Sequence, residues 1–128
     1  DLTIIEDCYN ASPESMRAAI DVLCECTPTG SRRVAVLGDM LELGADSVQE
    51  HVAIIKKALS AGFAKVCLVG AEFGKALEQV GECGCDKISH FATSALLADW
   101  VENEKIQGAT VLVKGSRGTR MEKIVEKL

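Results

Sequence analysis

Three short segments carry residue types that could act together on a charged, hydroxyl-bearing ligand. The first is Asp7-Cys-Tyr-Asn-Ala-Ser-Pro-Glu-Ser-Met16, a polar run between an apolar stretch and a helix start. A carboxylate such as Asp7 suits a pair of ribose hydroxyls, and Tyr9 or Asn10 can pack on or bond to a base. The same spacing is equally open to an Asx-type turn followed by a helix cap. The second segment is Gly38-Asp-Met-Leu-Glu-Leu-Gly44, in which Asp39 projects from a predicted strand end. Its Met40, Leu41 and Leu43 either pack down or wait for something to cover them. The third is Lys114-Gly-Ser-Arg-Gly-Thr-Arg120, where glycine-freed amides, hydroxyls, three cations and a helix start converge. That combination suits a carboxylate or a phosphate, with a solvated basic loop as the alternative.

Other chemistries find less support. No G-x-G-x-x-G follows the first predicted strand, so the dinucleotide fingerprint is missing from its place. Gly70-Ala-Glu-Phe-Gly-Lys75 looks like a phosphate loop but has one residue too few between its glycines. Ala76 also replaces the hydroxyl that would hold magnesium, and the segment is rejected as a Walker motif. His51 has no evident Ser or Cys nucleophile beside it and reads as a packing or capping residue rather than a base. Cys24-Glu-Cys26 and Cys83-Gly-Cys85 have one intervening residue, not the two usual in zinc knuckles, and the only histidines are His51 and His90. Reduced structural thiols are favoured over a metal site, and no metal ligands are assigned.

The elements that must position these residues follow from the pattern of the whole chain. Its 128 residues are 48% hydrophobic, enough for one core, and no apolar run approaches membrane length. A net charge of −5 with dispersed signs speaks against a nucleic-acid partner. Strands are predicted at Leu2–Ile5, Arg33–Leu37, Lys65–Val69, Lys87–Phe91 and Thr110–Val113, rich in Val, Ile and Leu with little alternation. Between them run helices. Ser12 caps the first, with Pro13 at its first position and Met16, Ala19, Ile20 and Leu23 on one face. Ser47-Val-Gln-Glu50 reads as a capping box, leading into Val52, Ile55 and Leu59. A third helix spans about Glu72 to Val80. A fourth follows Thr93 with Leu96, Leu97, Trp100 and Val101, and a last one opens with the capping box Thr119-Arg-Met-Glu122. The expected fold is α/β: a Rossmann-like, doubly wound, mostly parallel sheet of five to six strands with helices on both faces. Because the chain opens at Asp1 without Met, we expect a single domain, 1–128, cut from a longer protein.

Taken together, the YNAS segment from Asp7, the GDMLELG segment with His51 downstream, and Leu112-Val-Lys-Gly-Ser-Arg117 with Met121-Glu122 resemble the C-terminal domain of the Mur ligases. The resemblance covers essentially the whole chain in order and spacing. It implies an ATP-dependent ligase, with ATP and Mg2+ bound mainly by a central domain of the same chain. It further implies addition of D-alanyl-D-alanine to a UDP-MurNAc-tripeptide through an acyl phosphate, in peptidoglycan synthesis. A cytoplasmic monomer is implied, inactive as this fragment alone. Carried over by position, Asp7, Tyr9, Asn10 and Asp39 are expected at the nucleotide, and Lys114, Gly115, Ser116 and Arg117 at the dipeptide. Ser12 departs from the asparagine of many members but keeps the cap. A stand-alone nucleotide- or anion-binding regulatory module, a folylpolyglutamate-synthetase-like ligase of the same superfamily, and a cysteine-based redox or metal module are the competing readings.

Overall fold

A computed structural model describes residues 2–7, 12–27, 32–40, 43–80, 88–104 and 109–115, with the backbone alone at 2–7, 26 and 104. Among these residues five strands form one sheet: β1 (Leu2–Asp7), β2 (Arg33–Gly38), β3 (Lys65–Val69), β4 (Ile88–Phe91) and β5 (Ala109–Lys114). Every neighbouring pair is parallel and the order is β1-β5-β2-β3-β4. The crossovers are helices α1 (Pro13–Cys26), α2 (Ser47–Ser60), α3 (Ala71–Val80) and α4 (Ser94–Glu104). The expected last helix, with its Thr119 capping box, lies outside the described residues.

Period-2 alternation along the central strands sorts their side chains into two cores. Ala35, Leu37, Val66, Leu68 and Leu112 pack with Met16, Ile20 and Leu23 of α1, Ile54, Ile55 and Ala58 of α2, and Phe73 and Ala76 of α3. On the opposite face, Val34, Val36, Cys67, Val69, Val111 and Val113 meet Leu97, Ala98 and Val101 of α4. Apolar residues on both faces explain why β2, β3 and β5 read as unbroken hydrophobic runs. Burial pushes the Cys67 thiol up to about 12, so it behaves as a small core hydrophobe.

Two local expectations change. At α1 the Ser12 hydroxyl accepts from the Ser15 N–H at 3.1 Å, as expected, and the Ser12 N–H is returned to the Ser15 hydroxyl at 2.8 Å. The second capping box does not form. A 3-10 turn at Gly44–Asp46 runs straight into α2, so Ser47 has helical backbone angles and Asp46, at the cap, makes no side-chain capping bond. Glu50 turns instead toward Arg17, 3.6 Å away. In α4, Leu96 is 52% exposed rather than on the inner face, and Ala98 takes that place. Leu68→Ala is expected to cost roughly 2–5 kcal/mol of unfolding free energy. Leu96→Ala should cost no more than about 0.5 kcal/mol, both measured by denaturant melts.

Candidate functional site

Because the strands are parallel, Asp7, Gly38, Val69, Phe91 and Lys114 all end at one edge of the sheet. This is the edge where open α/β sheets bind ligands. Lys114 lies opposite Asp7 on one side and Leu37 on the other. The three segments singled out above therefore meet in the order Asp7, Lys114-Gly115, Gly38-Asp39. Tyr9, Asn10, Leu41, Ser116 and Arg117 lie outside the described residues. The Lys114 side chain is only 1% exposed, buried between strands rather than standing on a solvated loop, and it is engaged within the protein. A lysine so deep needs its charge compensated.

Asp39 does not reach outward from its strand end. It is 6% exposed, and its carboxylate accepts the Glu72 N–H at 3.0 Å and the Phe73 N–H at 2.9 Å. These are orphan amides of the first turn of α3, where a negative charge also opposes the helix dipole. The loop backbone is tied in the same place, since the Asp39 N–H donates to the Val69 carbonyl at 3.0 Å. Gly70 is what lets the carboxylate in. Its φ is +113°, and a Cβ there would lie 2.2 Å from the Asp39 carboxylate.

The next residue, Met40, is held from the other side. Its N–H donates to His51 Nε2 at 3.0 Å, while His51 Nδ1 lies 2.6 Å from the Ser47 carbonyl. One ring nitrogen accepts and the other donates, which fixes a neutral tautomer. His51 Nε2 is also 4.0 Å from Asp39 Oδ1, but with that nitrogen already accepting an N–H the approach is not an ion pair. The fully buried imidazole meets the Phe73 ring edge-on at 4.5 Å. His51 is thus a packing and anchoring residue, as its surroundings in sequence suggest. Met40 is fully buried and Leu43 packs against the same core, so these two loop hydrophobics fold inward.

Ser47, freed from capping, donates its hydroxyl to Glu72 at 2.7 Å, and Lys75 sits 3.1 Å from the other Glu72 oxygen. The Ser47 hydrogen bond first, and Lys75 next, hold the Glu72 carboxyl below its ordinary value of 4.5. None of Ser47, Glu72 or Gly70 was singled out from sequence as part of this cluster. One signal was available. Helix α3 begins Gly70-Ala71 with no Ser, Thr, Asp or Asn at its start, so it must borrow a cap from elsewhere.

Helix N-termini are the usual phosphate seats of such an edge. Pro13 brings no N–H to α1 and Ser12 takes that of Ser15; Asp39 fills α3; the Thr93 hydroxyl takes the Leu96 N–H of α4 at 3.3 Å. Gly70–Lys75 therefore holds a carboxylate where a Walker loop would hold phosphate. Among the described residues, no group of three or more His, Cys, Asp or Glu is arranged to hold a metal ion. None of the described helices is long and apolar enough to cross a membrane.

Residues 1–117 match the family model described as Mur ligase, glutamate ligase domain. The chain belongs to the Mur ligase family. It is 39% identical over 127 residues to the UDP-N-acetylmuramoyl-tripeptide–D-alanyl-D-alanine ligase of Escherichia coli, covering 98% of this chain and 26% of that one. The Treponema pallidum ligase of the same name is 34% identical over 125 residues, covering 96% and 27%. Among solved structures, MurF from Acinetobacter baumannii superposes with a TM-score of 0.80 at 35% identity, over 98% of this chain and 27% of that one. MurF from Thermotoga maritima in complex with ADP gives 0.76 at 26% identity, over 98% and 27%. This Mur ligase domain thus spans about a quarter of the length of the curated relatives it matches.

The Glu72 arrangement makes a pH prediction. Its folded pKa lies below the unfolded one, so its contribution to stability is complete above about pH 4.5 and is lost as pH falls through the folded value. Carboxyl NMR titration should find Glu72 below the ordinary glutamate value, and Ser47→Ala should raise it. Gly70→Ala should cost roughly 1–3 kcal/mol from backbone strain alone. Displacing Asp39 from α3 adds to that, and chemical denaturation measures the sum.

Proposed function

We propose that this domain is the C-terminal part of an ATP-dependent ligase that adds D-alanyl-D-alanine to a UDP-MurNAc-tripeptide, in the cytoplasm and as a monomer. The observation that carries this reading is its near-complete match to the C-terminal quarter of ligases bearing that name, with the ligand-type segments converging on one sheet edge. ATP would phosphorylate the tripeptide carboxylate, and the dipeptide amine would attack the acyl phosphate and release phosphate. The triphosphate and Mg2+ are assigned to the parts of the relatives that this chain does not match. Asp39 on the first amides of α3 supports that assignment, because it fills the helix start where a Walker loop would hold phosphate.

In this reading Asp7 accepts hydrogen bonds from the ribose hydroxyls, with Tyr9 and Asn10 beside the nucleotide. Gly115, Ser116 and Arg117 offer amides, a hydroxyl and a guanidinium to the dipeptide carboxylate, which Arg can grip with two parallel hydrogen bonds. Lys114, buried at the centre of the edge, supplies positive charge from beneath rather than a surface contact.

In the full-length protein, Asp7→Ala is expected to raise the KM for ATP and Arg117→Ala that for D-alanyl-D-alanine. Each rise should be roughly 10- to 150-fold, the loss of a charged hydrogen bond worth roughly 1.5–3 kcal/mol. Unchanged steady-state kinetics in both variants would sink the assignment. The 128-residue chain alone should not turn over ATP when supplied with the dipeptide.

A further inference from the structure

We infer that Lys114 serves the nucleotide side of the site as a positioning residue, acting through the charge of Asp7 rather than touching the dipeptide. The inference rests on the ligase reading above and changes the role of one residue within it. It starts from the alternation along β5. Leu112 packs into the core shared with α1, α2 and α3, while Val111 and Val113 face α4. Lys114, two residues beyond Leu112, falls on the same side of the sheet as Leu112. In the register of β1 against β5, Ile5 stands opposite Leu112 and Asp7 opposite Lys114. Asp7 therefore holds the position beside Lys114 on that side, one strand spacing of about 4.8 Å away.

The burial of Lys114 makes a neighbouring acid necessary. Helix α1 follows β1, so it starts at this edge and brings the positive end of its dipole to the side that Lys114 faces. A buried ammonium there is costly unless a carboxylate compensates it. On its other flank Lys114 stands opposite Leu37, which carries no charge. The next acid beyond Leu37, Asp39, is committed to the first amides of α3. Asp7 is the acid that the register sets directly beside the lysine. Opposite charges so placed attract, so Lys114 keeps Asp7 ionised and fixes where its carboxylate stands. The ionised form only accepts hydrogen bonds, which is what a pair of ribose hydroxyls requires of it.

The test uses the full-length ligase. Lys114→Met removes the charge and keeps the length of the side chain. It should raise the KM for ATP about tenfold and leave that for D-alanyl-D-alanine within about twofold. Introduced into Asp7→Ala, the same substitution should change the KM for ATP by less than about twofold, because the group it acts through is already gone. Thermal unfolding gives a readout that needs no activity. Asp7→Ala should lower the melting temperature by several degrees, since it strands a buried charge, and adding Lys114→Met should recover roughly half of that loss or more. If Lys114→Met alone fails to fold, the comparison of Asp7→Ala with the double variant still decides. A larger rise in the KM for the dipeptide than for ATP would overturn the inference and return Lys114 to the dipeptide. Equal rises in both, or a fall in kcat alone, would also overturn it. So would a double variant no more stable than Asp7→Ala, which would make another acid, such as Asp39, the counter-charge. Absence of ligation by the wild-type full-length protein would remove the ligase reading and the nucleotide role with it, while the unfolding comparison would still report on the charge pair.

Discussion

Helix α3 starts without a cap of its own, and the carboxylate that supplies one comes from the end of another strand. Much of this edge of the sheet depends on that single borrowed charge. Asp39 meets the Glu72 and Phe73 amides only because Gly70 has no side chain, and only because the Asp39 and Gly70 amides are themselves tied to the ends of β3 and β4. With the carboxylate in place, Glu72 stands within reach of Ser47 and Phe73 meets the ring of His51, which in turn carries the Met40 amide. A buried carboxylate satisfied by two amides is stable where an unpaired one would not be. The cluster is therefore cooperative: each contact fixes the geometry that the next one needs.

The same economy explains what this edge does not do. A helix dipole filled by a side chain cannot also hold a phosphate, so the glycine-bearing turn at Gly70 serves architecture. Of the residues picked out for their chemistry, Asp7 and Lys114 stand side by side in the other half of the sheet. Along this edge the ends of β2, β3 and β4 are tied together by the Asp39 cluster, while Asp7 and Lys114 stand apart from it on β1 and β5.

Much of this was legible in the amino-acid sequence, for identifiable reasons. Strands buried on both faces leave long apolar runs, and the Ser12-Pro13 start of α1 is a local signal that needs no tertiary information. The apparent capping box at Ser47 failed because it is local too: a preceding 3-10 turn and a distant Glu72 outbid it. Leu96 misled for a similar reason, since periodicity gives a face but not its limits. Asp39 was found by its position after a strand, yet its direction depends on a glycine in another loop. That is a relation between segments, which a pattern within either one does not contain.

The strand order has one more consequence, for the time at which the edge comes into being. Among the described residues β1 pairs with β5 alone, Leu2 facing Ala109 and Asp7 facing Lys114. Strands β3 and β4 pair only with neighbours close to them in the chain, but β1, and one side of β2, must wait for β5 and so for almost the whole domain to be synthesised. Closing so long a loop costs entropy and is slow compared with joining adjacent units. Asp7 and Lys114 are thus brought side by side only when β5 enters between β1 and β2. A chain made only through β4 can pair three strands while still lacking the Asp7–Lys114 neighbourhood that β5 creates.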